Sequence, residues 1–481
     1  MSRLFRRVLR RPELHRPVFR RLLIAAIGIA VLGALVPITV ASGDQSPASN
    51  GMGFGPPSGQ PVRAALPPGR INHILVIDLE NEGFSTTWGP GSPATFLNGT
   101  LRKQGELIDN YYATGHDSLD NYISQVSGQA PTNMTKADCS GGSGTVFVNV
   151  SPGTDDPFPA TNPGQVDGDG CIYPAPTATS NGAPTIADQL DAAYPPNPTT
   201  HVAAWREYAG DMGNDPSRDG GTPDPTGGTD CAHPTVGGAD NAEGATMTDQ
   251  YANRHNPFIY FHSIIDNQFV CSANEVPLGT LQGNGTPAPT GHLVSDLSNP
   301  DTTPMFGFVT PNTCDDGHDD PCVGLNDNGT HAGGLVAADA WLQHWMPTIL
   351  SSPAYRQGSM LVVVTFDEAE TSAGDPPATS SCCYEQAGPN TVAPGDDSST
   401  APTNSAPGGG KVGALLLDSR HIDPGSEDTT GSYNHYSALR SYEDLLGLTS
   451  GGSDGFGHVG FAAAPGLAPF GRDVFSRGND Q

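Results

Sequence analysis

The sequence predicts one α/β domain: a mainly parallel central sheet with helices on both faces, long loop insertions and disulfide staples. Three observations carry that expectation. Short, near-continuous apolar runs, such as HILVIDL at His73–Leu79 and MLVVVTF at Met360–Phe366, read as strands buried on both faces. Stretches with helical spacing separate these runs, as parallel crossovers require. No segment repeats at a fixed period, which sets solenoids and propellers aside.

In chain order, HILVIDL is the first strand. Residues 96–104 read as a short amphipathic helix, 107–113 as a second strand, and 119–127 as a helix entered through a tight turn. Residues 130–180 form a loop rich in Pro, Gly and Asp. Residues 186–194 are helical, 201–208 a strand, and 209–250 another polar loop. Residues 257–264, 305–310 and Met360–Phe366 are short apolar runs of β character. A long helix at 331–350, the strand VGALLL at 412–417 and a helix at 436–446 complete the pattern. Long loops without secondary structure are uncommon in compact domains and often build sites, so residues 71–475 read as a single domain with insertions.

Of 481 residues, 51 are Asp or Glu and 22 are Lys or Arg, a formal charge of −29. That balance excludes a nucleic-acid backbone binder, which needs a basic footprint. Eight arginines fall within the first 21 residues, leaving 14 basic against 50 acidic residues in the remainder. An apolar run at 22–36, then Pro37 and small residues up to Ala41, makes 1–41 read as a signal peptide. Residues 22–41 are also long enough to remain as a membrane anchor. The chain is therefore expected outside the cytoplasm, secreted or membrane-anchored, with 42–70, rich in Gly, Pro and Ser, as a flexible linker. All eight cysteines lie beyond 1–41, and an even count in an exported chain reads as disulfides. Cys314–Cys322 is the expected local pair, whereas the neighbours Cys382 and Cys383 are expected to bond to different partners. No CxxC spacing supports zinc instead.

Open parallel sheets bind ligands beyond the carboxyl ends of their strands, so the polar residues that directly follow apolar runs are the site candidates. Glu80 and Asn81 follow HILVIDL, and GHDSLDNY at 115–122 follows the second strand. Pro311, Asn312, Asp315, Asp316 and His318 follow MFGFVT; Asp367 and Glu368 follow MLVVVTF; YNHY at 433–436 lies beyond VGALLL. Each has a bland reading. Glu80-Asn81 or Ser118 would serve as helix caps, His435 as a structural residue, and Asp315, Asp316, Asp319 and Asp320 as a solvated acidic loop or weak Ca²⁺ site. Together they say more, because two carboxylates ending a strongly apolar strand are costly unless a cation compensates them.

Five blocks then align in order from about 73 to 448: VIDLENEGF at 76–84, HDSLDNY at 116–122 with Ser127-Gly128, Thr310-Pro311-Asn312 with His318-Asp319, TFDE at 365–368, and NHYSALR at 434–440. In these blocks the chain resembles the phosphoesterase family of bacterial acid phosphatases and phospholipases C, with an alkaline-phosphatase-like fold. The resemblance implies Ser118 as nucleophile and Asn121 as holder of a non-bridging phosphoryl oxygen. Glu80, Asn81, Asp367 and Glu368 would bind a divalent cation that also touches the Ser118 oxygen. His318 and His435, with Asn312, would bind phosphate or protonate the leaving group. The stretch SLDNYISQVSG is also similar to the nucleophile turn of nucleotide pyrophosphatases. Relatives often carry Pro where Asp117 and Asp120 stand, and two extra acids would repel an anion unless a metal or a proton offsets them.

Carboxylates and an amide suit Ca²⁺, Mg²⁺ or Mn²⁺, and an added imidazole would favour Zn²⁺ or Fe. The implied activity is metal-dependent hydrolysis of phosphate monoesters through a phosphoserine. A phospholipase C-type attack on phospholipid headgroups is the alternative, and a non-catalytic, acidic Ca²⁺-binding surface protein is the alternative of another class. A small phosphate ester or a phospholipid headgroup is the expected partner. A sulfatase is set aside because no Cys-x-Pro-x-Arg stretch is present.

Overall fold

The structure is a computed structural model and describes residues 62–141, 144–151, 164–177, 182–195, 203–282, 286–287, 290–370, 379–383, 385, 388 and 408–477. The expected signal or anchor segment lies outside these residues, as does 42–61 of the expected linker. Within residues 62–70, read as linker, residues 64–66 pack on the domain. Leu66 is buried, Ala65 N–H donates to Phe470 O at 3.0 Å, and Arg63 pairs with Asp444 at 2.5 Å.

Eight strands form the central sheet: β1 (His73–Leu79), β2 (Glu106–Ile108), β3 (Trp205–Ala209), β4 (Glu275–Pro277), β5 (Phe306–Thr310), β6 (Met360–Phe366), β7 (Ala414–Leu417) and β8 (Ser426–Asp428). Their order is β8-β2-β7-β6-β1-β5-β3-β4. β7 runs antiparallel to β6 and β2, and every other neighbouring pair is parallel. β1 and β6 lie at the centre, paired from His73↔Met360 to Leu79↔Phe366. Successive side chains of a strand point to opposite faces, so the unbroken burial of Ile74 to Leu79 and of all of β6 means that both faces of the sheet are covered.

Four longer helices accompany the sheet: α1 (Ser118–Ser127), α2 (Ile186–Ala193), α3 (Gly334–Leu350) and α4 (His435–Leu446). Their ends follow local chemistry. Thr185 and Asp188 form a capping box at the start of α2, and Asn434 accepts from Ser437 N–H at the start of α4. α1 stops at Gly128, whose φ of 65° is left-handed and where a Cβ would stand 2.6 Å from Val459 O. Among the described residues no helix is long and apolar enough to cross a membrane.

Three expectations need correction. Residues 257–264 are not a strand but a 3₁₀ turn at Pro257–Tyr260 followed by a short helix at His262–Ile265. Pro257 opens that turn, and a short apolar run that is buried all round does not distinguish strand from helix. The expected strand 107–113 breaks after Ile108, and Tyr111–Tyr112 pairs instead with Tyr433–Asn434 in a separate ladder. Cys382 and Cys383 are bonded to each other. The other six cysteines are already paired, as Cys139–Cys171, Cys231–Cys271 and the expected Cys314–Cys322.

Candidate active site at the carboxyl edge of the sheet

The three adjacent strands β6, β1 and β5 end side by side and release Asp367-Glu368, Glu80-Asn81 and the 311–319 loop onto one edge. Backbone bonds lock these exits together: Glu80 N–H donates to Asp316 O at 3.0 Å, and Asp367 N–H to Leu79 O at 2.8 Å. Asn81, at a left-handed φ of 57°, turns its N–H onto Asp367 Oδ1 at 3.0 Å.

The turn before α1 delivers Ser118. Asp117 takes the N-cap position with φ 64°, and Ser118 is the first helical residue. Asn121 braces this turn. Its Oδ1 accepts from Thr114 N–H at 2.9 Å and Gly115 N–H at 3.0 Å, while its Nδ2 donates to Gly115 O at 3.0 Å and Asp117 O at 3.2 Å. Glycine at 115 leaves room for the Asp120 carboxylate, since a Cβ there would lie 2.2 Å from Asp120 Oδ2. Held in this way, Ser118 Oγ donates to Glu80 Oε2 at 2.9 Å, and Tyr122 Oη donates to Glu80 Oε1 at 2.5 Å.

Around Glu80 the site is a nest of buried acids. Glu80, Asp316 and Asp367 are wholly buried, and Asp120 and Glu368 nearly so. His255 Nδ1 bonds Asp316 Oδ2 at 3.0 Å, and its Nε2 lies 3.4 Å from Glu80 Oε1. The His255 ring stacks on Tyr122 with centroids 5.4 Å apart. His116 pairs with Glu368.

Burial, reinforced by neighbouring carboxylates, holds Glu80, Asp120, Asp316 and Glu368 well above the usual carboxylate range, and burial pushes Asp367 up to about 6. Burial first, then the Arg254 charge, keeps His255 well below its ordinary value, so its imidazole is neutral. These groups fit a divalent cation. Asp367 Oδ2, Asn81 Oδ1 and both Asp120 oxygens are buried without a hydrogen-bond partner among the described residues, and Glu80, His255 and Asp316 offer ligand atoms within 4.8 Å of one another.

The structure thus brings Ser118, Glu80, Asn81, Asp367 and Glu368 together. His318 stands at the rim, its ring 5.5 Å from that of His255, with Nδ1 on Asp319 Oδ1 at 2.9 Å and Nε2 on Arg254 Nη2 at 3.2 Å. Three residues take other parts than expected. Asn121 has both its amide oxygen and its amide nitrogen engaged on the turn. Asn312 Oδ1 accepts from Cys314 N–H at 3.1 Å and Asp315 N–H at 3.0 Å, shaping its own loop. His435 is wholly buried, with Nε2 donating to Asp367 O at 2.7 Å and Nδ1 accepting from Tyr111 Oη at 3.2 Å. Burial lowers its pKa to about 4, and its contact with the site is to the backbone of Asp367. Asp315 and Asp316 are buried, not a solvated acidic loop.

Sequence reasoning missed His255 and Arg254, and placed Tyr122 only within the GHDSLDNY run without a role. The signal for the first two was NRHNP at 253–257, a polar run placed directly against the apolar FIYF.

Over 271 residues, 56% of this chain and 43% of the relative, the sequence is 24% identical to the phosphate-repressible acid phosphatase of Penicillium chrysogenum. Over 301 residues, 63% of this chain and 48% of the relative, it is 23% identical to a probable acid phosphatase of Kluyveromyces lactis. The chain spans about half the length of these relatives or somewhat less. Among solved structures, a protein in the alkaline phosphatase superfamily from Vibrio parahaemolyticus superposes with a TM-score of 0.38 at 12% identity, over 80% of this chain and 69% of that one. Residues 92–449 match the Phosphoesterase family across most of the domain, and the chain belongs to that family.

Proposed function

We propose that the protein is an exported, metal-dependent phosphoesterase that hydrolyses phosphate monoesters with Ser118 as nucleophile. The observation that carries this reading is the Ser118 Oγ bond to Glu80 Oε2, 2.9 Å long, at the first residue of a helix and inside a nest of buried acids. Family membership and the acid phosphatase names of its relatives support the reaction class. The four disulfides and the basic, then apolar, amino terminus support export.

Ser118 is a weak nucleophile until its proton leaves, and Glu80 Oε2 is the acceptor already in hydrogen-bond contact. Ser118 Oγ then forms a bond to phosphorus as the bond to the leaving alcohol oxygen breaks in line, giving phosphoserine. Charge on the equatorial oxygens falls at the amino end of α1, where the helix dipole is positive. The departing alcohol takes up a proton at the rim, where His318 stands, and water attack on phosphoserine releases phosphate. Asn121 and His435 are positioning residues, one for the nucleophile turn and the other for the Asp367 backbone. A divalent cation held by Glu80, Asn81, Asp367 and Glu368, with Asp316 and His255 within reach, would neutralise the acids and favour the Ser118 alkoxide.

Turnover of a chromogenic phosphate monoester, with and without chelator and beside Ser118→Ala, tests the reading. Loss of turnover in both controls is expected; a chelated protein that stays fully active would remove the metal from the account.

A further inference from the structure

Arg254 is nine-tenths buried, a costly position for a guanidinium unless its charge is used. Among the described residues it is the one Lys or Arg whose charge acts on Glu80, Asp117, Asp138, Asp316 and Asp319 together. Its outer edge is anchored: Nη1 donates to Glu243 Oε2 and to Glu243 O, both at 2.8 Å. Nε stands 3.7 Å from Asp138 Oδ2, and Asp138 Oδ1 in turn accepts from Leu119 N–H at 2.9 Å, the residue directly after the nucleophile. Asp138 therefore ties the guanidinium to the amino end of α1. The remaining nitrogen, Nη2, donates to His318 Nε2 at 3.2 Å. The fork is fixed on one side by Glu243 and presents Nη2 toward the rim of the site.

Resting on the phosphoesterase reading above, we propose that Arg254 is the specificity-determining residue that selects phosphate monoesters over diesters, with Nη2 taking a non-bridging oxygen that only a monoester leaves unsubstituted. A monoester dianion brings three non-bridging oxygens and a diester monoanion two. The inner oxygens face the cation ligands and the α1 amides, so the outer one is left for Arg254. In a diester an alkoxy group stands there, which Nη2 holds poorly and which must displace an Arg–His contact for no charge-assisted bond in return. The acids around the site make this cation matter more, because without it Asp117, Asp138 and Asp319 would face the incoming anion.

The test uses the metal-loaded full chain and its Arg254→Lys and Arg254→Gln variants. It reads kcat/KM for 4-nitrophenyl phosphate and bis(4-nitrophenyl) phosphate, inhibition by inorganic phosphate, and bound metal. The wild type is expected to prefer the monoester by about 100-fold or more, on the scale of losing one preorganised donor. Both variants are expected to compress that ratio by more than about tenfold and to weaken phosphate inhibition in parallel, with metal content unchanged. Arg254→Lys keeps the charge and the partner of Glu243 but loses the fork, so it carries the test if the Gln variant does not fold. Equal losses on both esters with unchanged phosphate inhibition would make Arg254 structural and overturn the proposal, as would a wild type that prefers the diester. A wild type that turns over neither ester would sink the phosphoesterase reading itself, a failure distinct from that of Arg254.

Discussion

Ser118 and Glu80 stand 38 residues apart in the chain and are joined by a 2.9 Å hydrogen bond that links the first residue of α1 to the exit of the central strand. Tyr122, one turn further along the same helix, holds the other carboxylate oxygen at 2.5 Å. Helix and sheet therefore fix one carboxylate from two points, and that carboxylate faces the Ser118 hydroxyl.

Glu80→Gln keeps the shape of the side chain but removes its charge and one of its two acceptor atoms. Turnover is expected to fall on the order of 100-fold or more, as for loss of a general base, and bound metal to fall with it. Elemental analysis beside monoester kinetics checks both; retained metal with full turnover would contradict the assignment.

His435→Gln separates a positioning residue from an acid. The buried imidazole bonds Asp367 O and Tyr111, and its pKa is lowered to about 4 by burial, so it stays neutral through the working range. The variant is expected to lose on the order of 1–3 kcal/mol of stability and some metal affinity. The pH profile of its remaining activity should keep the wild-type shape. A lost limb in that profile would assign His435 a proton-transfer role instead.

Glu207 and Glu275 face each other in register on β3 and β4, both wholly buried. Burial pushes Glu275 from its ordinary 4.5 up to about 8. The folded chain therefore keeps a proton that the unfolded chain gives up above about 4.5, so stability is present on the acid side and is lost as pH rises toward 8. Glu275→Gln should remove that loss, on the order of a few kcal/mol, and raise the melting temperature more at pH 8 than at pH 5. Melting curves with an unchanged pH slope would contradict this.

Gly115→Ala tests the turn. The added methyl meets Asp120 Oδ2 at 2.2 Å, so the buried Asp120 side chain or the turn that carries Ser118 has to shift. Activity is expected to drop at least tenfold, since small misplacements of a reacting group cost that much, while far-ultraviolet dichroism stays native. Full activity would show that the turn is more tolerant than this packing implies.

The parts of this molecule legible in its sequence are those in which burial leaves one solution. HILVIDL and MLVVVTF read as two-face-buried strands and are β1 and β6 to the residue, so the acids that follow them fall on one edge. The short edge strands EVP and SED carry charge or proline and no periodicity, which hides them. FIYF is buried all round and shows no period that distinguishes a turn from a strand. Motif letters place Asn121 and His435 in the site region but cannot name their partners. Those partners are the backbone of Thr114, Gly115 and Asp117 in one case and of Asp367 in the other, and only the folded chain brings them there. His255 comes from a 3₁₀ turn 175 residues beyond Glu80, with no local pattern to join the two.

The most direct measurement is an acid quench of the metal-loaded protein during turnover of a phosphate monoester, followed by peptide mass spectrometry. The account predicts a phosphoryl group on the peptide that contains Ser118, absent from Ser118→Ala, which should also be inactive. Undiminished turnover by Ser118→Ala with no phosphorylated serine in the wild type would contradict the nucleophile assignment at its root.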